Sequence, residues 1–152
     1  MLAIEKRNRE NPMARKPTKK IKHISLKVLR KKSWDLISLF VRKSSADGNG
    51  IVRCYTCDKP HYYTDMDCGH YIHRDCLDYE PDNLKPQCNF CNRCKHGNLG
   101  IFAEKLIKEI GEKRVEALRQ KSNEVKKFII IELQDLIAKY TKLLETLGGP
   151  NG

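Results

Sequence analysis

The sequence predicts a mostly helical fold in which helices flank one small zinc-braced core. Two observations predict it. Apolar residues recur at helical spacing before residue 46 and after residue 99, and all seven cysteines lie between residues 54 and 94. With 152 residues the chain has about the length of one domain, which makes a large multi-domain enzyme unlikely.

The net charge of +11 is concentrated at the N-terminal end. Residues 1–45 carry 14 Lys and Arg against 3 Asp and Glu, whereas residues 46–152 carry 16 of each. We divide the chain into a basic arm (1–32), a helix with the zinc-braced core (33–100) and a helical region (101–152). The arm is suited to binding DNA, because its lysines and arginines would neutralise phosphates and so release the bound counterions. A solvated tail that binds nothing has the same composition. The candidate phosphate contacts are Arg15, Lys16, Lys19, Lys20, Lys22, Arg30, Lys31 and Lys32.

The helices follow from apolar spacing and from their end signals. Ser33 is the predicted N-cap of a helix from Trp34 to about Ala46, which the DGNG residues 47–50 end. A helix that carries Phe102 stops at Gly111, and a short one carries Val115 and Leu118. The last helix, from about Glu124 to Leu147, has the apolar stripe Val125, Ile129, Leu133, Leu136, Tyr140, Leu143 and Leu147. That stripe favours packing within the chain over a dimer seam.

The cysteines are expected to be reduced. The sequence has no apolar run long enough to span a membrane and no secretory signal in its first ten residues, so we expect a cytoplasmic protein. Thiols in that compartment usually bind metal or react. Cys54-x-x-Cys57 and Cys88-x-x-Cys91 have the spacing with which two tight turns direct four thiolates at one structural zinc.

Several polar residues around these pairs are not needed for zinc. If the chain turns helical near Cys91, Asn92 and His96 lie on one helical face. Together with a strand histidine they could hold one divalent ion beside an imidazole base. Each residue alone has an ordinary interpretation, since a lone histidine is most often a surface or satisfied core residue.

Three stretches carry a family resemblance: DCGHY (67–71), DNLKPQCNFCN (82–92) and HGNLGIFAEKLIKEIG (96–111). They resemble the phage NinG (Rap) recombination proteins, within the broader HNH, or ββα-metal, nucleases. The resemblance implies an α+β fold in which a zinc-braced β-hairpin precedes a helix. It also implies an endonuclease that cuts branched DNA such as Holliday junctions and D-loops. Symmetric cutting of a junction needs two active sites, so we expect a homodimer through the last helix.

The resemblance assigns roles to individual residues. His70 would be the general base, and Asn83 would orient its imidazole. Asn92 and His96 would ligate one catalytic Mg²⁺ or Mn²⁺. Many HNH enzymes have a metal ligand directly before the base, where this chain has Gly69. Asp67 is then the candidate third ligand if a bulge at Gly69 turns it toward the ion, and Asp65 competes with it.

Two other functions use the same residues. The ligand order that also includes Cys68, His73 and Cys76 is similar to a RING-H2 domain, which binds two zincs and a ubiquitin-pathway partner. Against it, Asn89 stands where RING domains usually have proline, and Asn83, Asn92 and His96 would have no role. A zinc-ribbon DNA-binding protein without catalysis is the third alternative. The nuclease hypothesis leaves Cys68, His73, Cys76 and Cys94 unassigned.

Overall fold

The computed structural model describes residues 24–148, and this part of the chain is an α+β fold built mostly of helices. The helices are α1 (Leu26–Ser44), α2 (Leu99–Ile110), α3 (Glu112–Lys121) and α4 (Ile130–Thr146). The strands are β1 (Ile51–Arg53), β2 (Pro60–Tyr62), β3 (Met66–His70) and β4 (Leu84–Cys88). The mostly helical class predicted from the sequence is confirmed. No helix in this described part is long and apolar enough to cross a membrane.

Helix α1 begins eight residues before its predicted start. Ser25 is its N-cap, and its Oγ accepts a hydrogen bond from the Val28 amide at 3.4 Å. Ser33, the predicted cap, is instead fully buried inside the helix, where its Oγ donates to the carbonyl of Leu133 at 3.3 Å. The prediction of Ser33 as a cap was wrong because a serine that contacts a packed neighbouring helix has the same local sequence as one that caps.

The four strands form two separate antiparallel hairpins. Strand β1 pairs with β2, and β3 pairs with β4 in a continuous register from Met66 opposite Cys88 to His70 opposite Leu84. A π-helical turn (Phe90–Cys94) and a short 3₁₀ turn (His96–Asn98) connect β4 to α2. The long β3–β4 hairpin therefore leads, through these two turns, into α2.

Three clusters of buried side chains hold these elements together. The first joins α1, α4 and the β3–β4 hairpin around Ile37 and Leu133. The second joins α2 and α3 to the loop between β3 and β4 around Leu77 and Phe102. The third surrounds the cysteine pairs at the ends of β1 and β4. Strands β3 and β4 contribute to the first and third clusters and the loop between them to the second, so the hairpin with its loop links all three.

Helix α4 is shorter than predicted. The chain stays extended up to Ile129, and the Glu132 carboxylate accepts a hydrogen bond from the Ile129 amide at 3.0 Å. This extended segment places the Phe128 ring edge-on against Tyr79, at 4.7 Å between ring centroids. Of the predicted stripe, Val125 is 94% exposed, whereas Leu133 and Tyr140 are buried against α1. The predicted packing within the chain is confirmed, and the homodimer stays a prediction.

Candidate functional site

The four cysteines of the two predicted pairs lie together. The sulfur atoms of Cys54, Cys57, Cys88 and Cys91 are all within 4.8 Å of one another, and those of Cys57 and Cys88 are 3.8 Å apart. In a tetrahedral site with Zn–S bonds of about 2.3 Å, sulfur atoms are about 3.8 Å apart. Four soft thiolate donors are also the set that suits zinc. The four side chains therefore could hold one zinc ion.

Two tight turns bring these cysteines together. After β1, the Asp58 amide donates to the Cys54 carbonyl, and the Cys54 amide donates to the Lys59 carbonyl, both at 2.9 Å. Burial alone would raise the pKa of Cys54, but hydrogen bonds from the backbone of Cys88 and Cys57 lower it to about 6. A thiolate is thus favoured at Cys54 near neutral pH, whereas burial raises the pKa of Cys57 and, to about 12, that of Cys88, so these two thiols would lose their protons on binding the ion.

The remaining cysteines do not form a second metal site. Cys68 is buried in the first cluster, and Cys76 is buried in the second, where its Sγ donates to the carbonyl of Lys121. Burial raises the pKa of Cys68 to about 12, so its thiol is inert. Cys94 is exposed. Within residues 24–148, the four-cysteine cluster is the only group of three or more His, Cys, Asp and Glu side chains that could share an ion. A RING-H2 domain needs a second such group, so nothing here supports that alternative.

His70 lies at the end of β3 with its ring held between aromatic neighbours. The ring stacks on Trp34 of α1, with centroids 4.9 Å apart and planes 16° from parallel, and the ring of His73 is 5.0 Å away. Its Nε2 is buried and has no hydrogen-bond partner among the described residues. Burial, with a smaller repulsion from His73, lowers the pKa of His70 to about 4, against a weaker opposing hydrogen bond to the Asp78 backbone. The imidazole is therefore neutral at pH 7, and the lowered pKa makes it a weaker base than a free histidine.

Asn83 is completely buried, but its amide holds a loop instead of the imidazole. Its Oδ1 accepts from the Ile72 amide at 2.8 Å, and its Nδ2 donates to the carbonyls of Ile72 and Leu77 at 2.9 and 3.2 Å. The predicted hydrogen bond from Asn83 to His70 is absent from this set. Asn83 instead fixes the loop that follows His70, and Trp34 fixes the ring.

Asp67 and Asn92 lie together as predicted, but the Arg93 side chain also forms hydrogen bonds to the Asp67 carboxylate. The Asn92 amide donates to Asp67 Oδ2 at 3.0 Å, and the Arg93 guanidinium donates to both carboxylate oxygens at 2.9 Å. Partial burial would raise the pKa of Asp67, but the hydrogen bonds from Arg93 and Asn92 hold it below its usual value. The β3–β4 register continues through Gly69, so the structure does not have the bulge that would turn Asp67 toward an ion beside His70. Asp65 is exposed in the turn before β3.

Asn92 and His96 do not share a regular helical face. Asn92 lies in the π-helical turn, and the chain then reverses with positive φ angles of 49° at His96, 84° at Gly97 and 49° at Asn98. His96 is exposed. The expectation of one face was wrong because it assumed a regular helix from Cys91 onward. The carboxylate and amide oxygens of Asp67 and Asn92 suit Mg²⁺ in type.

Three residues that sequence reasoning left without a role shape this site. Trp34 stacks on His70, and Arg93 pairs with Asp67. Gln87 is fully buried and donates to Thr56 Oγ1 at 3.1 Å and to the Gly97 carbonyl at 2.8 Å. The position of Gln87 at the start of the QCNFCN run is the sequence feature that could have pointed to its role. A polar pocket of about 350 Å³ lies beside Asp67 and is lined by Trp34, Ser38, Arg42, Met66, Asp67, Cys68, Asn92 and Arg93.

The candidate phosphate contacts are only partly described. Arg15, Lys16, Lys19, Lys20 and Lys22 lie outside residues 24–148. Arg30, Lys31 and Lys32 belong to α1, not to an extended arm. Lys31 pairs with Asp35 at 2.5 Å, Arg30 is half-buried, and Lys32 is exposed.

Comparison with known proteins identifies relatives of the chain. The family described as Bacteriophage Lambda NinG protein matches residues 2–148. "Protein ninG" of Escherichia phage 933W is 27% identical over 166 aligned positions, which cover 96% of this chain and 80% of that relative. "Protein ninG" of Enterobacteria phage H19B is 26% identical over 143 positions, which cover 80% of this chain and 68% of that relative. No solved structure matches the chain significantly.

Proposed function

The chain belongs to the NinG family, and on that premise we propose that it is a metal-dependent DNA endonuclease that cuts branched recombination intermediates. The observation that carries this proposal is His70, whose buried Nε2 has no partner and whose imidazole is neutral at pH 7. A histidine that serves only to fill a core normally satisfies both ring nitrogens. The order of β3, β4 and α2 also agrees with the strand–strand–helix unit of the HNH nucleases.

In this proposal His70 takes a proton from the attacking water. Stacking on Trp34 holds the ring plane, and the Asn83 amide holds the loop after it, so the base keeps one orientation. Asp67 and Asn92, with His96, would hold the divalent ion after a local rearrangement, because in the regular strand β3 Asp67 and His70 point to opposite faces. Such an ion offsets charge on the scissile phosphate and on the leaving 3′ oxygen. The four-cysteine site braces the hairpin and takes no part in the chemistry.

The position of Arg93 conflicts with metal binding at Asp67 and has to change for the proposed function. Its guanidinium covers both oxygens of Asp67, where a divalent cation would bind. Arg93 is exposed, so moving its side chain into solvent or onto a DNA phosphate would release the carboxylate at small cost. The same ion pair favours the second candidate function, a zinc-braced DNA-binding protein without catalysis.

The first test is cleavage by a His70→Ala variant. We expect loss of about 10²- to 10⁴-fold in the rate of Mg²⁺-dependent nicking of a four-way junction, because the variant lacks its general base. His73→Ala is the matched control, since His73 is a neighbouring exposed imidazole and should cut at close to the wild-type rate.

Zinc content and circular dichroism accompany both variants, and His70→Gln provides a second variant of similar polarity. Cutting by His70→Ala at the wild-type rate would refute the assignment of His70 as the general base. Wild-type protein that binds the junction but leaves it uncut with Mg²⁺ and with Mn²⁺ would establish the non-catalytic function instead.

A further inference from the structure

Phe90 is a large aromatic residue held out into solvent beside the cysteine cluster. Its side chain is 60% exposed, although Cys88 and Cys91 on either side of it are buried. It begins the π-helical turn Phe90–Cys94, whose path is fixed where Cys91 enters the cluster. The ring therefore has a defined position, which a flexible loop would not give it. A single exposed aromatic residue is ordinary by itself, so its surroundings decide what it does.

The Phe90 ring lines a pocket that carries two lysines. This pocket, which we call the Phe90 pocket, has a volume of about 440 Å³ and includes Lys59, His61, Asn89 and Lys95, together with Cys57, Cys88 and Cys91 of the four-cysteine cluster. Part of that volume is the space of the zinc site, so a further ligand would lie in the outer part, beside Phe90 and the two lysines. The Lys95 Nζ lies 5.4 Å from the centroid of the Phe90 ring. Asp65 is the one carboxylate in the lining, and its Oδ1 accepts a hydrogen bond from the Thr64 hydroxyl. Among the described residues, no ion pair joins Lys59 or Lys95 to a carboxylate.

The Phe90 pocket and the pocket beside Asp67 are built on the same turn. Asn92 and Arg93 line the pocket beside Asp67, whereas Phe90 and Lys95 line the Phe90 pocket. A chain of phosphates that crosses this turn would pass from one pocket into the other. A strand that lies along both pockets would place one of its nucleotides in the Phe90 pocket next to the part that lies at Asp67.

We propose that the Phe90 pocket binds one unpaired nucleotide of DNA, with its base stacked on the Phe90 ring and its phosphates contacted by Lys59 and Lys95. Every base has an aromatic face that can stack on a phenyl ring, and flanking lysines supply the charge that the backbone requires. A base inside a duplex is covered on both faces, so only an unpaired base can occupy this pocket. This inference deepens the proposed function: it names the feature of branched DNA that the protein detects, an unpaired base beside the cleavage site.

The test is binding of single-stranded and double-stranded DNA by a Phe90→Ala variant, measured by fluorescence anisotropy without added Mg²⁺. The probes are an oligo(dT) of about 12 nucleotides and a duplex of the same length. We expect oligo(dT) affinity to fall about 5- to 150-fold, which corresponds to the loss of one base–aromatic stack, and duplex affinity to change less than about twofold. Phe90→Trp should retain the oligo(dT) affinity. Tyr62→Ala is the matched control, because Tyr62 is 57% exposed on β2 and does not line the pocket.

Equal affinity of Phe90→Ala and wild type for oligo(dT) would overturn the proposal, and so would equal losses on oligo(dT) and duplex. Zinc content is measured for every variant, so that loss of the metal site is not mistaken for loss of stacking. Because binding is read without cleavage, the result is independent of the His70 test. A selective loss in Phe90→Ala together with an uncut junction would keep the nucleotide pocket and reject the endonuclease.

Discussion

The His70 imidazole combines a stacked ring with an unpartnered nitrogen, and this combination gives it a measurable effect on stability. Its pKa in the folded protein is lowered to about 4, mainly by burial, from the usual 6.5. The groups that act on it are His73 and the Asp78 backbone, and the Asp78 carboxyl is in turn influenced by Asp75 and Arg30. The sequence could name this histidine, but its partners Trp34 and His73 approach it only through the packing of α1 and of the loop after β3.

Acid should therefore destabilise the protein through His70. As the pH falls below 6.5, the unfolded chain binds a proton at His70 that the folded chain does not bind until about pH 4. The unfolding free energy thus falls across this window, and His70 accounts for about 1 to 2 kcal/mol between pH 6.5 and 5. Urea unfolding of wild type and His70→Gln at pH 7, 6 and 5 measures this contribution of His70 to the unfolding free energy. A constant difference between the two proteins would contradict the shift.

The β3–β4 hairpin is the element that connects the cysteine cluster to the candidate site. Gly69 of β3 faces Gln87 of β4 so closely that a Cβ there would lie 2.0 Å from Gln87 Oε1 and 2.8 Å from its Cδ. Gln87 cannot turn away without losing its hydrogen bonds to Thr56 and Gly97. This contact explains why glycine, and no metal ligand, precedes His70.

Gly69→Ala should consequently loosen the hairpin. We expect the unfolding free energy to fall by about 1–3 kcal/mol, from overpacking or from the loss of the Gln87 hydrogen bonds. Thermal unfolding measures the change. Gly48→Ala is the control, since nothing lies within 4 Å of a Cβ at that position. Equal melting temperatures of Gly69→Ala and wild type would show that Gln87 adapts freely.

At the scale of the whole molecule, the cysteine cluster joins segments that lie about thirty residues apart in the chain. Its surroundings include only a few apolar side chains, such as Val52 and Met66. In so small a cluster, a bound zinc ion would supply cohesion that apolar burial cannot. The fold beyond it is held separately by the α1–α4 and the α2–α3 clusters.

Elemental analysis should therefore find one zinc per chain. Cys57→Ser should lose it, whereas Cys94→Ser should keep it, because Cys94 is exposed and lies outside the cluster. Two zincs per chain would contradict the grouping of ligands described above and would favour a RING-like site.

The sequence by itself determined the helical class, the four-cysteine group and the stop at Gly111, because these depend on local spacing and residue chemistry. The family resemblance proposed the candidate residues His70, Asp67 and Asn92. Tertiary structure decided the rest. Ser33 packs against α4 and donates a hydrogen bond to Leu133, and Phe128 packs on Tyr79 in the non-helical segment before Ile130. Asn83 holds the loop after His70 by hydrogen bonds, and Arg93 forms an ion pair with Asp67. Each of these outcomes depends on which side chain approaches from a distant segment, and such contacts leave no periodic signal in the sequence.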